Sequence, residues 1–245
     1  GREFHIREPD IFGNDWMLDA SGMKGLLITI DGPGGAGKTT VSRKVARRLG
    51  YTYVDTGALY RAVALAVSRC GESSYDEEAL ERVCCNLKLE FKDTPRGSVL
   101  LMDGVDVSEA IRTQDITMAA SRLSAERVVR QHLLGIQRRM GEAGGVVFEG
   151  RDMGTVIFPW ADKKFFLFAD VQVRAERRYR ELLAKGYAVD LEAVLESIKK
   201  RDHDDSSRAL APLKPARDAI RIDASDLDVA EVVDRVLSYV GHPPK

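Results

Sequence analysis

Nine consecutive residues carry the clearest chemistry of this sequence: Gly32-Pro33-Gly34-Gly35-Ala36-Gly37-Lys38-Thr39-Thr40. They fit the pattern G-x-x-x-x-G-K-[ST] in full. Glycines at this spacing let successive backbone N–H groups turn inward around phosphate oxygens, and a helix starting there adds its dipole. Lys38 brings a mobile positive charge to the β- and γ-phosphates, and the Thr39 hydroxyl can ligate Mg²⁺. The motif requires a strand before it and a helix after it. Leu26, Leu27, Ile28 and Ile30 supply the strand; Val41, Val45 and Leu49 form a helical stripe, with Ser42, Arg43, Lys44, Arg47 and Arg48 largely off it. The stretch reads as a nucleotide-phosphate site.

Three other groups of residues have chemical potential, each with a plainer alternative. In Asp55-Thr56-Gly57-Ala58-Leu59-Tyr60-Arg61, a hydroxyl, a Tyr and an Arg at a helix start can hold a second phosphate group, or the stretch is an ordinary helix cap with a surface Arg. Glu149-Gly150-Arg151-Asp152 ends a core strand, where an acidic residue would help to hold Mg²⁺. There Arg151 and Asp152 either read a bound ligand, by charge for phosphate and carboxylate for an exocyclic amine, or form a structural ion pair. The arginines at 174–180 and 201–208 either stabilise the charge of a transferred phosphoryl group or belong to solvated helix faces, Arg180 being assigned to the surface. One loop Lys is too little positive charge for a phosphate donor and acceptor together. His5, His132, His203 and His242 have no catalytic partner pattern and are read as structural or exposed.

The elements that must position these residues follow from periodicity. A second strand is expected at 51–54 and helices at 58–70 and 76–87, the latter opened by Ser74 with Glu77 three residues on. Short β-prone runs at 87–91, 99–102 and 105–107 predict a small antiparallel meander inserted in the core. Short helices at 108–113 and 115–121 and a longer one at 126–140 lead to strands at 146–148 and 163–168. A helix carrying Arg174, Arg177, Arg178 and Arg180 ends at Gly186. Another helix, at 191–200, runs into a charged stretch, before a last strand at 219–223 and a terminal helix at 228–240. This alternation implies an α/β fold with a mostly parallel sheet, helices on both faces and ligands beyond the carboxyl ends of the strands.

Composition narrows the class. The 37 basic and 38 acidic residues of the 245 nearly cancel, so no global field marks nucleic acid or a membrane as partner. A hydrophobic share of 44% and a charged share of 31% suit a globular chain with a substantial core. Cys70, Cys84 and Cys85 form no metal or disulfide pattern, and a reducing cytoplasm is the expected compartment. No apolar run approaches the roughly 18 residues of a membrane span. Residues 1–22 lack periodicity and are read as an expression remnant or a non-catalytic extension, ahead of a catalytic domain at 23–245. The near-neutral charge and the lack of an obvious apolar stripe favour a monomer.

Together these segments resemble the bacterial cytidylate (CMP) kinases of the short-lid type, over about residues 27 to 239. The resemblance rests on Ile30-Asp31-Gly32-Pro33, Asp55-Thr56-Gly57-Ala58-Leu59-Tyr60-Arg61, Ile111-Arg112-Thr113-Gln114, Gly150-Arg151-Asp152-Met153-Gly154-Thr155-Val156 and Leu210-Ala211-Pro212-Leu213. It implies transfer of the γ-phosphoryl of Mg-ATP to CMP or dCMP, with UMP a poorer acceptor. It further implies that Arg61, Arg151 and Arg208 hold the acceptor phosphate, with Thr56 and Tyr60 lining the same pocket. Ser121, Arg130 and Asp152 would address the cytosine, Arg201 and Asp205 would lie against the sugar-phosphate, and Arg177 would come in from the lid helix. Lys38, Arg177 and Arg201 are then the expected catalytic residues, with an acceptor-binding insert at about 86–108 and a lid at about 171–186. Glu149 stands where some relatives carry Asp, which keeps the charge and lengthens the reach. Asp204 and Ser206 stand where some relatives place further arginines, so that this lid would hold ATP less electrostatically. Two other readings remain compatible with the phosphate loop: a nucleotide-dependent switch, although no Asn-Lys-x-Asp segment reads guanine, and a sister kinase acting on shikimate or UMP.

Overall fold

In the computed structural model, residues 25–70, 76–94 and 97–241 are described. The expected Ser74 cap, His5, His242 and the segment 1–22 lie outside them.

Buried along its whole length, β1 (Leu27–Asp31) takes the centre of a five-stranded sheet of order β2-β6-β1-β7-β8. Its partners β2 (Thr52–Asp55), β6 (Val146–Gly150), β7 (Lys163–Phe168) and β8 (Ile220–Asp223) are joined in parallel throughout. Parallel strands covered on both faces need continuous apolar runs, which Val146-Val147-Phe148 and Phe165-Phe166-Leu167 supply. The strand order decides the site. Although distant in sequence, β6 inserts between β1 and β2 and brings Glu149 level with Asp55 and with Ile30, next to the start of the phosphate loop.

One face of the sheet is covered by α1 (Lys38–Leu49) and α8 (Val229–Val240), through Val41, Val45, Val232, Val233 and Val236. A second core gathers α2 (Thr56–Arg69), α3 (Glu77–Asn86), α4 (Gln114–Leu123) and α5 (Arg127–Gly141) around Leu59, Val63, Leu80, Leu123 and Leu133. The expected meander is present as an antiparallel sheet of β3 (Leu89–Thr94), β4 (Gly97–Met102) and β5 (Val105–Asp106). It packs Leu89, Leu100 and Met102 into this second core. Two helices, α6 (Val171–Ala184) and α7 (Leu191–Ser207), pack on each other over the carboxyl ends of the strands.

Several boundaries differ from expectation. In place of a helix at 108–113 there is a 3₁₀ turn at Ala110–Arg112. Asp76 caps α3, accepting from the Ala79 N–H at 2.7 Å. The charged stretch after residue 200 is helix, because α7 continues to Ser207 with Arg208 at its C-cap. No Gly or Pro interrupts it before Pro212, and the ion pairs of Asp205 with Arg151 and Arg208 hold its last turn against the core. A π-helical turn at Met153–Ile157, which periodicity does not announce, follows Asp152.

Candidate functional site

The phosphate loop begins where β1 ends. Gly32 has φ 146°, and a Cβ on it would stand 1.9 Å from the Leu167 carbonyl oxygen of the neighbouring strand. Only glycine passes so close. Gly37 starts α1 in the left-handed region at φ 88°, and no side chain caps the helix, which leaves its first N–H groups available to an anion. Lys38 is buried, its Nζ donating to the Pro33 carbonyl at 2.6 Å. Burial, and then the Arg151 charge, lower its ammonium to about 7, with the Glu149 and Asp205 carboxylates acting in the opposite direction. Thr39 Oγ1 donates to Glu149 Oε1 at 2.9 Å, and Tyr53 Oη donates to Glu149 Oε2 at 2.5 Å. Burial and the Glu149 charge push the Tyr53 phenol far above its ordinary range, which keeps it a hydroxyl donor.

A cluster of arginines faces this loop from β6 and α7. Asp205, almost fully buried, accepts from Arg151 Nε at 3.0 Å and pairs with Arg208 through its other oxygen. Although its burial opposes this, Arg151, Arg208 and Arg201 hold its carboxyl below the usual range. Arg201 joins this cluster beside Arg151 and Asp205. Its Nε is buried with no hydrogen-bond partner, and burial together with Arg151 lowers its guanidinium to about 10. A Cβ placed on Gly34 would lie 3.7 Å from Arg151 Nη2 and 3.8 Å from Arg201 Nη1, so both guanidinium groups lie directly over the loop. Cations crowded on cations define a place for a polyanion.

The sequence profile of the cytidylate kinase family matches residues 28–242. This chain belongs to the cytidylate kinase family. It is 49% identical over 215 residues to a cytidylate kinase of Syntrophotalea carbinolica, covering 88% of this chain and 92% of that one. It is 47% identical to a cytidylate kinase of Geobacter sulfurreducens, covering 91% and 96% of the two chains. The corresponding enzyme of Geobacillus kaustophilus is 45% identical, with 88% and 96% covered.

The residues that the cytidylate kinase resemblance singles out line one open cleft of about 3100 Å³, from Gly34–Thr40 to Thr56, Tyr60, Arg61, Ser121, Arg130, Arg151, Asp152, Arg201, Asp205 and Arg208. Within it Arg130 pairs with Asp152, donates to the Ser124 carbonyl at 3.0 Å and lies 5.9 Å from the Tyr60 ring centre. Desolvation raises the Asp152 carboxyl despite the Arg130 charge. Arg61 is 2.8 Å from Asp55, which also caps α2, and Thr56 Oγ1 donates to the Glu149 carbonyl at 2.7 Å.

Arg177, on α6, lines the same cleft, with its guanidinium turned to the loop after β8. Its Nη2 donates to the Ala224 carbonyl at 2.7 Å, in the loop after β8, and not to the phosphate loop. The lid-helix residue that reaches the loop is Arg174, buried, with Nη1 3.0 Å from the Gly34 carbonyl and Nη2 2.6 Å from Asp202 on α7. The helical pattern holds both arginines on neighbouring turns. Only the adjacency of β7 to β1 shows that the first of them, nearest the strand end, meets the loop.

Asp31 belongs to the Ile30-Asp31-Gly32-Pro33 segment of the resemblance, which gives it no role of its own. Its carboxylate accepts from the Met153 N–H at 2.9 Å and the Gly154 N–H at 2.8 Å, tying β1 to the turn after Asp152. Burial raises it to about 7, against those two hydrogen bonds. The folded protein therefore holds this proton longer than the unfolded chain. The stability Asp31 contributes is full below the ordinary carboxylate range and is lost as pH rises to about 7. Asp31→Asn removes that titration. The stability advantage of the unsubstituted protein over the variant, from denaturant unfolding, is expected to shrink as pH rises through this window; a pH-independent difference would contradict the assignment.

Proposed function

We propose that this chain transfers the γ-phosphoryl group of ATP to CMP or dCMP, producing ADP and (d)CDP. The observation that carries this reading is the meeting of the phosphate loop with Arg151 and Arg201 over Gly34. A donor and an acceptor phosphate brought to the two sides of that point would be neutralised by Lys38 and these arginines at once.

An acceptor phosphate oxygen is already ionised near neutral pH, so no strong general base is required. The chain's work is in-line positioning, charge stabilisation and exclusion of water, against which ATP hydrolysis competes. Residues Gly32–Thr40 hold the donor phosphates; Arg61, Arg151 and Arg208 hold the acceptor phosphate, with Thr56, Tyr60 and Asp205 around it. Ser121, Arg130 and Asp152 address the base, Arg201 stands between the phosphates, and Arg177 serves the donor side from the lid. Mg²⁺ would be held by Thr39 and Glu149 and would neutralise charge on the phosphates. The donor set suits it: the Thr39 hydroxyl spends its proton on Glu149 and keeps its oxygen lone pairs for a hard cation. The insert around β3–β5 bounds the acceptor side and α6–α7 form the lid, in a monomeric cytoplasmic enzyme without nucleic-acid or membrane partner. Among the described residues no helix is long and apolar enough to cross a membrane.

Coupled ADP release with CMP, dCMP, UMP, shikimate or no acceptor tests the reading. Turnover is expected to be fastest with CMP and dCMP, weaker with UMP, and near the hydrolytic background with shikimate or no acceptor. Acceptor-independent release of the same size would instead indicate a nucleotide switch, and preference for shikimate or UMP a sister kinase.

A further inference from the structure

Both oxygens of the Glu149 carboxylate are engaged, Oε1 by Thr39 and Oε2 by Tyr53. Tyr53 belongs neither to the phosphate loop nor to the arginine cluster. It reaches the site because β2 pairs in parallel with β6, with Tyr53 beside Val147 and Asp55 beside Glu149. Residues two apart share a face of a strand, so the Tyr53 ring and the Glu149 side chain stand on the same side of the sheet. The Arg43 guanidinium lies 5.2 Å from the centre of the ring, which is thus held from behind.

Glutamate has one more rotatable bond than aspartate, and a carboxylate tethered by one oxygen alone can swing away from its partner. We propose that Tyr53 is a positioning residue for divalent-cation handling: by holding Glu149 Oε2 it keeps Oε1 on Thr39, whose oxygen then remains oriented for the cation. The longer reach of glutamate is taken up by the phenol. This inference rests on the proposed role of Thr39 and Glu149 toward Mg²⁺.

Tyr53→Phe removes the hydroxyl and keeps the ring. Calorimetric titration with ADP, once with Mg²⁺ and once with EDTA, separates cation handling from phosphate binding. In the unsubstituted protein Mg²⁺ is expected to tighten ADP binding, and Thr39→Ala to remove most of that gain. Tyr53→Phe should reduce the gain by about five- to tenfold, the scale of one net hydrogen bond, with metal-free ADP affinity within about twofold of normal. Glu149→Asp, too short to meet both partners, should show a similar loss, and adding Tyr53→Phe to it should cause no further loss. If Thr39→Ala leaves the gain intact, the Mg²⁺ reading of Thr39 itself falls. If Thr39→Ala removes the gain and Tyr53→Phe does not, the role of Tyr53 alone is overturned. Equal weakening with and without Mg²⁺, or a lowered melting temperature with an unchanged gain, would make Tyr53 a packing residue and overturn it likewise.

Discussion

Lys38→Ala is expected to abolish phosphoryl transfer while leaving the melting temperature undiminished. Lys38 is buried and, among the described residues, donates to one acceptor, the Pro33 carbonyl, while Arg151 and Arg201 crowd it with like charge. Its folded pKa lies below the unfolded value of 10.5, so the stability associated with it is lost as pH falls from there to about 7. Near neutral pH the charge at this position opposes folding through its desolvation and its like-charged neighbours, so its removal is not expected to lower the melting temperature. Phosphate oxygens reverse the balance by supplying the countercharge that the loop lacks. Losing a preorganised charge aimed at the transferring group costs several kcal/mol, about a thousandfold in rate. Turnover and thermal melting measured on the same preparation decide it. Retention of more than about a tenth of normal activity would refute the assignment, and a large drop in melting temperature would make Lys38 a structural residue.

The second large effect concerns the choice of base. Cytosine presents an amine at position 4 where uracil presents a carbonyl, and a carboxylate attracts the first and repels the second. Asp152 is 3% exposed and paired with Arg130, which constrains what an amide could do in its place. In Asp152→Asn the amide oxygen should turn to the Arg130 donors. The NH₂ group is then left facing the base, where it matches uracil and opposes the cytosine amine. The variant is expected to lose most CMP activity and to narrow the CMP-to-UMP ratio of kcat/KM by at least about tenfold, or ~1.4 kcal/mol. Ser121 and Arg130 remain in the cleft, so some discrimination should persist. The measurement is kcat/KM for CMP, dCMP and UMP at saturating Mg-ATP. An unchanged ratio would reduce Asp152 to an ion-pair partner of Arg130.

What the sequence determined by itself is what neighbouring residues dictate to one another. Gly32–Thr40 sit between an apolar run and an amphipathic helix, and the local steric freedom of glycine with the helix start suffices to make a phosphate loop. The amphipathic helices and the meander were legible for the same reason, since side-chain period and turn residues act over a few positions. What tertiary structure alone decided is which distant groups meet. The insertion of β6 between β1 and β2 brings Glu149 to Thr39 and Tyr53, and no pattern within any of those segments specifies that order. Arg174 and Arg177 are equivalent by periodicity, yet the packing of β7 against β1 carries Arg174 to Gly34 and leaves Arg177 at Ala224. Asp205 anchors the end of α7 through ion pairs that include Arg151 on another element. Asp31 can be recognised as a strut for the turn after Asp152 only when that turn is seen folded back on β1. Such pairings are set by long-range packing and by the demand that buried charges find partners, and one local pattern is compatible with many of them.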